Sequence, residues 1–463
     1  MTGSPLDLAD TIVAVATPPG RGALAIVRLS GRNAHAIARS ALDRWPSAPR
    51  SIVVAHVRTS DMGELLDQSV VIRYDAPASF TGEDSVELIT HGGAVVPTTI
   101  VAALVARGAR LATPGEFTRR AVLHGKLDIL QAEATGDLVD ADSRAAQTVA
   151  LGQLDGGLSR RILALREQLI GLEAMIAYDI DFPEEDEGPI PRSRIAAAAN
   201  AVIAALEGLH QTARVGELVR EGALVVLAGA PNVGKSSLFN ALLGQSRAIV
   251  TDIPGTTRDA IEAVIDTPQV PLRLVDTAGM REATETVERI GVEVSAAYVA
   301  RAAVVLACGD TNRSMGEIGA ALAGRTTAPV IAVWTKSDVN APSARSLDEA
   351  RTATGAGAAV AVSAETGEGL ADLVDAVGRS ITSGVSRIDG DAPILTRERH
   401  KFAVARALDE VRLFRADWSN GHMPATVAAV HLREAVTTLE DLVGAVDVED
   451  ILDELFRRFC VGK

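Results

Sequence analysis

The stretch "GALVVLAGAPNVGKSSLFNALLG" (residues 222–244) decides how the rest of the chain is read. The apolar run "ALVVLA" has the length and texture of a buried strand, and it stops at Gly229. From Gly229 to Ser236 the residues fit G-x-x-x-x-G-K-[ST], with Gly234 and Lys235 in place, and the helix-like "SLFNALLG" follows directly. Phosphate chemistry calls for these residue types in this order. Glycines let successive backbone N–H groups curl around a phosphate, Lys235 adds charge at the outer oxygens, and the Ser236 hydroxyl suits Mg²⁺.

Downstream, the apolar runs "LRLVDTAG" (272–279), "AAVVLACG" (302–309), "PVIAVWTKSD" (329–338) and "GAAVAVSA" (357–364) alternate with helical patterns. That rhythm predicts a doubly wound α/β unit over residues 222–384. Within it lie the parts of a nucleotide switch. "DIPGTTRD" (252–259) offers the Thr256 and Thr257 hydroxyls to Mg²⁺ and the γ-phosphate, while "DTAG" offers Asp276 near the metal and the Gly279 N–H to the γ-phosphate. "TKSD" and "SAE" follow strand-like runs, and Asp338 is suited to accept two hydrogen bonds from guanine N1 and N2, which favours GTP over ATP. The candidate contacts to GTP or GDP are Asn232, Val233, Gly234, Lys235, Ser236, Ser237, Thr251, Asp252, Ile253, Pro254, Gly255, Thr256, Thr257, Asp276, Thr277, Ala278, Gly279, Thr335, Lys336, Asp338, Ser363 and Ala364.

Two positions depart from the usual pattern. Thr335 stands where N-K-x-D places Asn, and its shorter side chain cannot make all of an amide's contacts to the base and the phosphate loop. Met280 stands where small regulatory GTPases carry the Gln that orients the attacking water, so another acid or an outside ion is needed; Glu285, Glu288 and Glu293 in "ETVERIGVE" are the candidate acids.

The flanks have a different texture. Residues 11–123 read as short alternating segments broken by Pro18-Pro19-Gly20 and by "HGGAVV", which predicts a small α+β domain over 1–124. From Lys126 the apolar spacing turns helical, ends at Pro183 in the acidic turn "DFPEEDEG", and resumes in one stretch from about Arg194 to Arg220. Helices return after Pro393, the last opening with Asp447 and Asp450 as an acidic first turn. Residues 125–221 and 385–463 are therefore read as two segments of one discontinuous helical domain, interrupted by the inserted 222–384 unit.

Composition narrows the setting. The chain has 463 residues, and 45 Lys+Arg against 60 Asp+Glu give a net charge of −15, which argues against non-specific coating of nucleic acid. Two cysteines, Cys308 and Cys460, make no disulfide framework, and the start "MTGSPLDLAD" has no apolar signal segment, so a cytoplasmic setting is expected. The longest nearly apolar run, "IAAAANAVIAAL" (195–206), falls short of the roughly 20 residues that span a bilayer, and no membrane span is expected. Neither His91 nor His124 has a partner at zinc-ligand spacing, and Cys308 reads as a buried small hydrophobe.

With these residues in view, the chain resembles the MnmE (TrmE) family of tRNA-modification GTPases over its whole length. The likeness rests on "DTIVAVATPPGRGALAIVRLSG", "SFTGEDSVELITHGG", "PGEFTRRAVLHGKLDILQAEA", "IDFPEE", "PNVGKSSLFN", "DIPGTTRD", "DTAGMRE", "VERIG" and "CVGK". It implies an N-terminal folate-binding and dimerising domain, a split helical domain and, over residues 222–384, an inserted Ras-like P-loop G domain. It also implies work with the FAD-carrying flavoprotein MnmG (GidA), in a heterotetramer or larger complex. That complex adds a carboxymethylaminomethyl or aminomethyl group to C5 of the wobble uridine of certain tRNAs.

Carried over by motif, the resemblance implies K⁺ ligands at Asn232, Thr251, Ile253 and Thr256, Mg²⁺ ligands at Ser236 and Thr257, and a water-orienting acid at Glu288. A 5-formyl- or methylene-tetrahydrofolate would meet Arg28, Glu87, Lys126 and Lys463. The amphipathic "VEDILDELFRRF" leads straight into "CVGK", so the tail is expected to be delivered to that pocket by a packed helix, with Cys460 in a catalytic or near-catalytic role and Arg457 and Arg458 contributing locally to tRNA contact. The alternative reading is a GTP-switched ribosome-assembly or binding factor with no covalent chemistry, against which the N-terminal motifs and "CVGK" weigh.

Overall fold

The computed structural model describes residues 10–59, 63–181, 190–245, 261–267, 270–276, 297–382, 393–420, 425–444, 459 and 462. The chain divides into two compact units, residues 1–136 with 437–463, and residues 137–436.

In the first unit, alternating apolar residues build a six-stranded sheet from β1 (Ile12–Val15), β2 (Leu24–Ser30), β3 (Ile52–Arg58), β4 (Leu65–Tyr74), β5 (Ser85–His91) and β6 (Arg110–Leu111). The order is β3-β4-β5-β2-β1-β6, antiparallel except where β1 meets β6. Val27 and Leu29 on β2 and Val86 and Leu88 on β5 are fully buried, in one core with residues of the helices Ala34–Ser40 and Val96–Val105. Because successive strand residues face opposite ways, Arg28 and Glu87, directly paired in register, lie on the other face. The break read at "HGG" is steric as well as conformational: a Cβ on Gly92 would sit 2.2 Å from the Gly22 carbonyl oxygen.

Under the helix Glu116–Leu123, Arg120 is only 1% exposed at its side chain and is ringed by acids. It donates to Asp10 at 2.5 Å, to Glu83 at 3.0 Å and to Glu116 at 3.0 Å, while Arg110 donates to Asp10 and Glu116 at 2.6 and 2.7 Å. Burial opposes ionisation of Asp10 and Glu116, but the two guanidinium groups override it and hold both carboxyls below their ordinary values of 3.8 and 4.5. Lowered folded values mean that the stabilisation is complete above the unfolded values and is lost as pH falls through the folded ones. Acid unfolding followed by circular dichroism is therefore expected to begin below about pH 4. Arg120→Met, which removes the buried guanidinium shared by Asp10, Glu83 and Glu116 and leaves Glu116 only the more exposed Arg110, is expected to cost about 3–5 kcal/mol and to move that onset to higher pH. An unchanged onset in the variant would show that the cluster adds nothing to the fold.

The second unit contains β7 (Ala223–Ala228), β8 (Ile261–Ile265), β9 (Leu272–Asp276), β10 (Val304–Gly309), β11 (Val330–Trp334) and β12 (Ala358–Ala361), in the order β12-β11-β10-β7-β9-β8. All neighbours are parallel except β8 with β9. Every residue of β7 and β10 is buried, which is why these strands read as unbroken apolar runs. Helices Lys235–Gln245, Asn312–Leu322, Ala344–Thr354 and Leu370–Thr382 accompany the sheet. From β7 the chain moves first to β8 and β9 on one side and then to β10 on the other, so the direction of winding reverses at the carboxyl end of β7, where ligands of such sheets bind.

The helical part of this unit comprises Arg144–Leu154, Gly157–Asp181, Arg192–Gln211, Ala213–Glu221 and Glu398–Asn420; further helices span Ile129–Asp140 and Ala425–Val443. The single stretch expected from Arg194 to Arg220 is two helices. Thr212 breaks it: its hydroxyl accepts the Leu395 N–H at 3.1 Å, and Gly216 lies so close to the Leu395 backbone that an added Cβ would stand 2.0 Å from that carbonyl oxygen. Close packing of the returning chain overrides the helical periodicity. The two crossings into and out of the sheet also meet at Asp137, which accepts from Arg397 at 2.6 Å and faces Arg220 at 3.7 Å. Among the described residues no helix is long and apolar enough to cross a membrane.

Candidate functional site

The carboxyl edge of the second sheet brings together most of the described residues expected to meet a nucleotide. After β7, the backbone turns through Asn232 (φ 62°) and Gly234 (φ 98°), left-handed conformations of the kind that backbone anion nests use, before the helix Lys235–Gln245 begins. Gly229 has no alternative here, since a Cβ would lie 2.4 Å from the Cys308 carbonyl oxygen. Lys235 is buried to 4% exposure, and its ammonium donates to the Gly229 and Ala230 carbonyls at 3.0 and 2.8 Å. Ser236 Oγ donates to Asp276 Oδ2 at 2.7 Å. A hydroxyl and a carboxylate from residues 40 apart thus form a hard-oxygen pair beside the phosphate loop, the donor chemistry that Mg²⁺ takes. Ser237 and Asn232 are both exposed.

At the end of β11, Thr335 is buried and its hydroxyl donates to the Val233 carbonyl at 2.5 Å. Lys336 follows at φ 54° and donates to the Asn232 carbonyl at 2.7 Å and to Asp310 Oδ2 at 2.9 Å. That hydrogen bond from the Lys336 ammonium holds the Asp310 carboxyl below the usual carboxylate range. Asp338 is exposed, with no hydrogen-bond partner among the described residues. Fully buried Ser363 is fixed by its N–H to the Glu368 carbonyl and by its Oγ, which accepts the Thr366 N–H at 3.1 Å. Ala364 follows it at the end of the strand edge. Cys308 is fully buried, and desolvation pushes its thiol up to about 12, so it packs as a small hydrophobe. Asp310, which sequence reasoning passed over, was within reach of a simple rule: it is the residue directly after β10 at the same sheet edge.

A second cluster forms in the first unit. Arg28 donates to Glu87 Oε1 through Nε at 3.0 Å and through Nη2 at 2.8 Å, and its guanidinium lies 5.4 Å from the Phe80 ring centre and 5.7 Å from that of Phe117. Tyr74 donates to Glu87 Oε2 at 3.2 Å, and burial together with the Glu87 charge raises the phenol's pKa, keeping it a donor. The motif residues in turn hold the loop that carries Phe80. Arg120 pairs with Glu83, His124 Nδ1 meets the Thr81 carbonyl at 2.8 Å, and Lys126 donates to the Pro77 carbonyl at 3.1 Å. His91 pairs with Asp67 at 2.6 Å. Tyr74, Phe80 and Phe117 were missed in the sequence reading because single aromatics carry no spacing signal.

Gly462, from "CVGK", is buried in this same unit at φ 101°. A Cβ there would stand 2.4 Å from the Val15 carbonyl oxygen and 2.8 Å from Ala16 Cα. The Phe459 ring lies against Gly136, where an added Cβ would stand 3.1 Å from it. Gly462 is therefore seated at the end of β1, on whose neighbour β2 Arg28 is paired with Ala14. Thr251, Asp252, Ile253, Pro254, Gly255, Thr256, Thr257, Thr277, Ala278, Gly279, Glu285, Glu288, Glu293, Asp447, Asp450, Arg457, Arg458, Cys460 and Lys463 lie outside the described residues.

The family model described as the MnmE helical domain matches residues 129–460, and that described as the GTP-binding protein TrmE N-terminus matches residues 11–126. Similar curated proteins include the tRNA modification GTPase MnmE of Azoarcus sp. (strain BH72), 41% identical over 98% of this chain and 98% of that protein. The protein of the same name from Neisseria meningitidis serogroup C (strain 053442) is 41% identical over 99% of this chain and all of its own length, and that of Heliobacterium modesticaldum is 39% identical over 98% and 99%. Matches of this extent, joined to a G-x-x-x-x-G-K-[ST] loop and a Ser236–Asp276 pair at one sheet edge, place the chain in the MnmE (TrmE) family of tRNA-modification GTPases.

Proposed function

We propose that this tRNA-modification GTPase is K⁺-dependent and acts with an MnmG-type flavoprotein, which carries FAD, to install a carboxymethylaminomethyl or aminomethyl group at C5 of the wobble uridine. The one-carbon unit would come from 5-formyl- or methylene-tetrahydrofolate. The observation that carries the folate-linked part is the seat of Gly462 against Val15 and Ala16, one strand away from Arg28. A pterin presents an amide and amino edge suited to the Glu87 carboxylate, the exposed Phe80 ring offers a stacking face, and the folate's glutamate tail suits Lys126 and Lys463. Arg28 fixes the Glu87 rotamer from one side and Tyr74 from the other, so the acceptor is preorganised. Cys460 would then stand beside the one-carbon unit.

In the nucleotide site, backbone N–H groups of the phosphate loop and Lys235 would bind the phosphates, and Asp338 would select guanine. Ser236 and Thr257 would hold Mg²⁺; Asn232, Thr251, Ile253 and Thr256 would hold K⁺. When bound, the two ions supply positive charge against that developing between the β- and γ-phosphates. Glu288 would orient water in place of the missing Gln. The working form is read as a homodimer in the cytoplasm, joined to the flavoprotein and tRNA. With a charge of −15 on this chain, that partner would carry much of the phosphate contact.

Hydrolysis by the purified chain is expected to run at least about tenfold faster in K⁺ than in Na⁺ at equal ionic strength. Equal turnover in the two salts would remove the potassium from the account.

A further inference from the structure

We propose that Thr335 sets nucleotide affinity in this chain: its one hydroxyl proton ties down the phosphate loop, and position 335 then has no donor left for the base. This rests on reading residues 229–237 and 335–338 as the GTP site. The hydroxyl lies 2.5 Å from the Val233 carbonyl and 3.2 Å from the Gly309 carbonyl. The Gly309 carbonyl already accepts the Thr335 N–H at 2.9 Å, and Val233 lies at the closer distance, so the proton belongs to Val233. Thr335 is 2% exposed and Val233 4% exposed, so water does not replace that bond.

The neighbouring contacts make the tie part of a brace. Lys336 donates to the Asn232 carbonyl, one residue earlier in the same loop, and is itself held by Asp310. Two consecutive residues after β11 therefore grip two consecutive carbonyls of the phosphate loop across 102 and 104 positions of chain. An amide at 335 would bring two N–H donors and so could grip the loop and reach the base together; a hydroxyl brings one. Gly234 leaves room for the longer side chain: even a Cβ built on it would stand 3.6 Å from Thr335 Cβ and 3.7 Å from its Oγ1. Guanine selection is a separate function of Asp338, three residues on.

Equilibrium titration of the full-length chain with fluorescent GDP and GTP analogues, with stopped-flow release of GDP, tests this. Thr335→Asn is expected to tighten binding and slow GDP release about tenfold. Thr335→Val, which keeps the shape and removes the hydroxyl, is expected to weaken both nucleotides about tenfold, and Thr335→Ser to stay near the parent. The preference for guanine over adenine nucleotides stays unchanged in all three. Affinities within twofold of the parent for both Asn and Val variants would overturn the proposal, as would a Ser variant as weak as Val. If Lys235→Ala also left binding unchanged, the reading of the site itself would fall instead.

Discussion

Asp276→Asn is expected to slow GTP hydrolysis by about 100-fold or more while leaving the fold and GDP binding nearly unchanged. Asp276 ends β9, is 2% exposed, and accepts the Ser236 hydroxyl at 2.7 Å. Asn has the same shape, so the sheet register with β7 survives; what disappears is a negative charge beside the hydroxyl that would ligate Mg²⁺. Without it Mg²⁺ would be held more weakly beside Ser236, and the loss is expected to fall on the hydrolytic rate. Single-turnover hydrolysis with saturating Mg²⁺ gives the readout, and a rate within about threefold of the parent would separate Asp276 from the metal site.

Gly462→Ala is the second large effect. The backbone at Gly462 adopts φ 101°, which costs a non-glycine residue about 1–3 kcal/mol. The added methyl would also stand 2.4 Å from the Val15 carbonyl oxygen, a position that backbone cannot vacate without moving β1. Gly462 must leave its seat, so tRNA modification in cells carrying the variant is expected to fall by at least about tenfold while GTP hydrolysis by the purified protein stays within about twofold. Deleting Val461 to Lys463 should act the same way. Modification at the parental level in either variant would remove the tail from the chemistry.

The two sites were legible to different depths, for physical reasons. The phosphate loop could be read because backbone geometry near a phosphate constrains consecutive residues, and Gly229, Gly234, Lys235 and Ser236 sit where that constraint puts them. Strand direction and winding followed from β7 and β10, whose full burial leaves no polar alternation to misread. The Thr335–Val233 tie could not be read: it joins residues 102 apart, and the sequence showed only that an amide was missing. In the first unit, Arg28 and Glu87 were reached through the family likeness, and their pairing is a matter of register between β2 and β5. Tyr74 enters the cluster from the end of β4, Phe80 from a loop and Phe117 from the helix Glu116–Leu123, a convergence that no local pattern encodes. The helix break at Thr212 was hidden for the same reason, since its cause is the backbone at Leu395.

The central claim is that this chain supports covalent modification of the wobble uridine and does more than switch an assembly on and off. Mass spectrometry of nucleosides from tRNA of cells lacking the protein tests it most directly. Loss of the aminomethyl-type side chain at C5 of the wobble uridine is predicted, with recovery on return of the parent chain and no recovery with the Asp276→Asn or Gly462→Ala chain. Wobble uridines modified to the parental level in the absence of the protein would contradict the account.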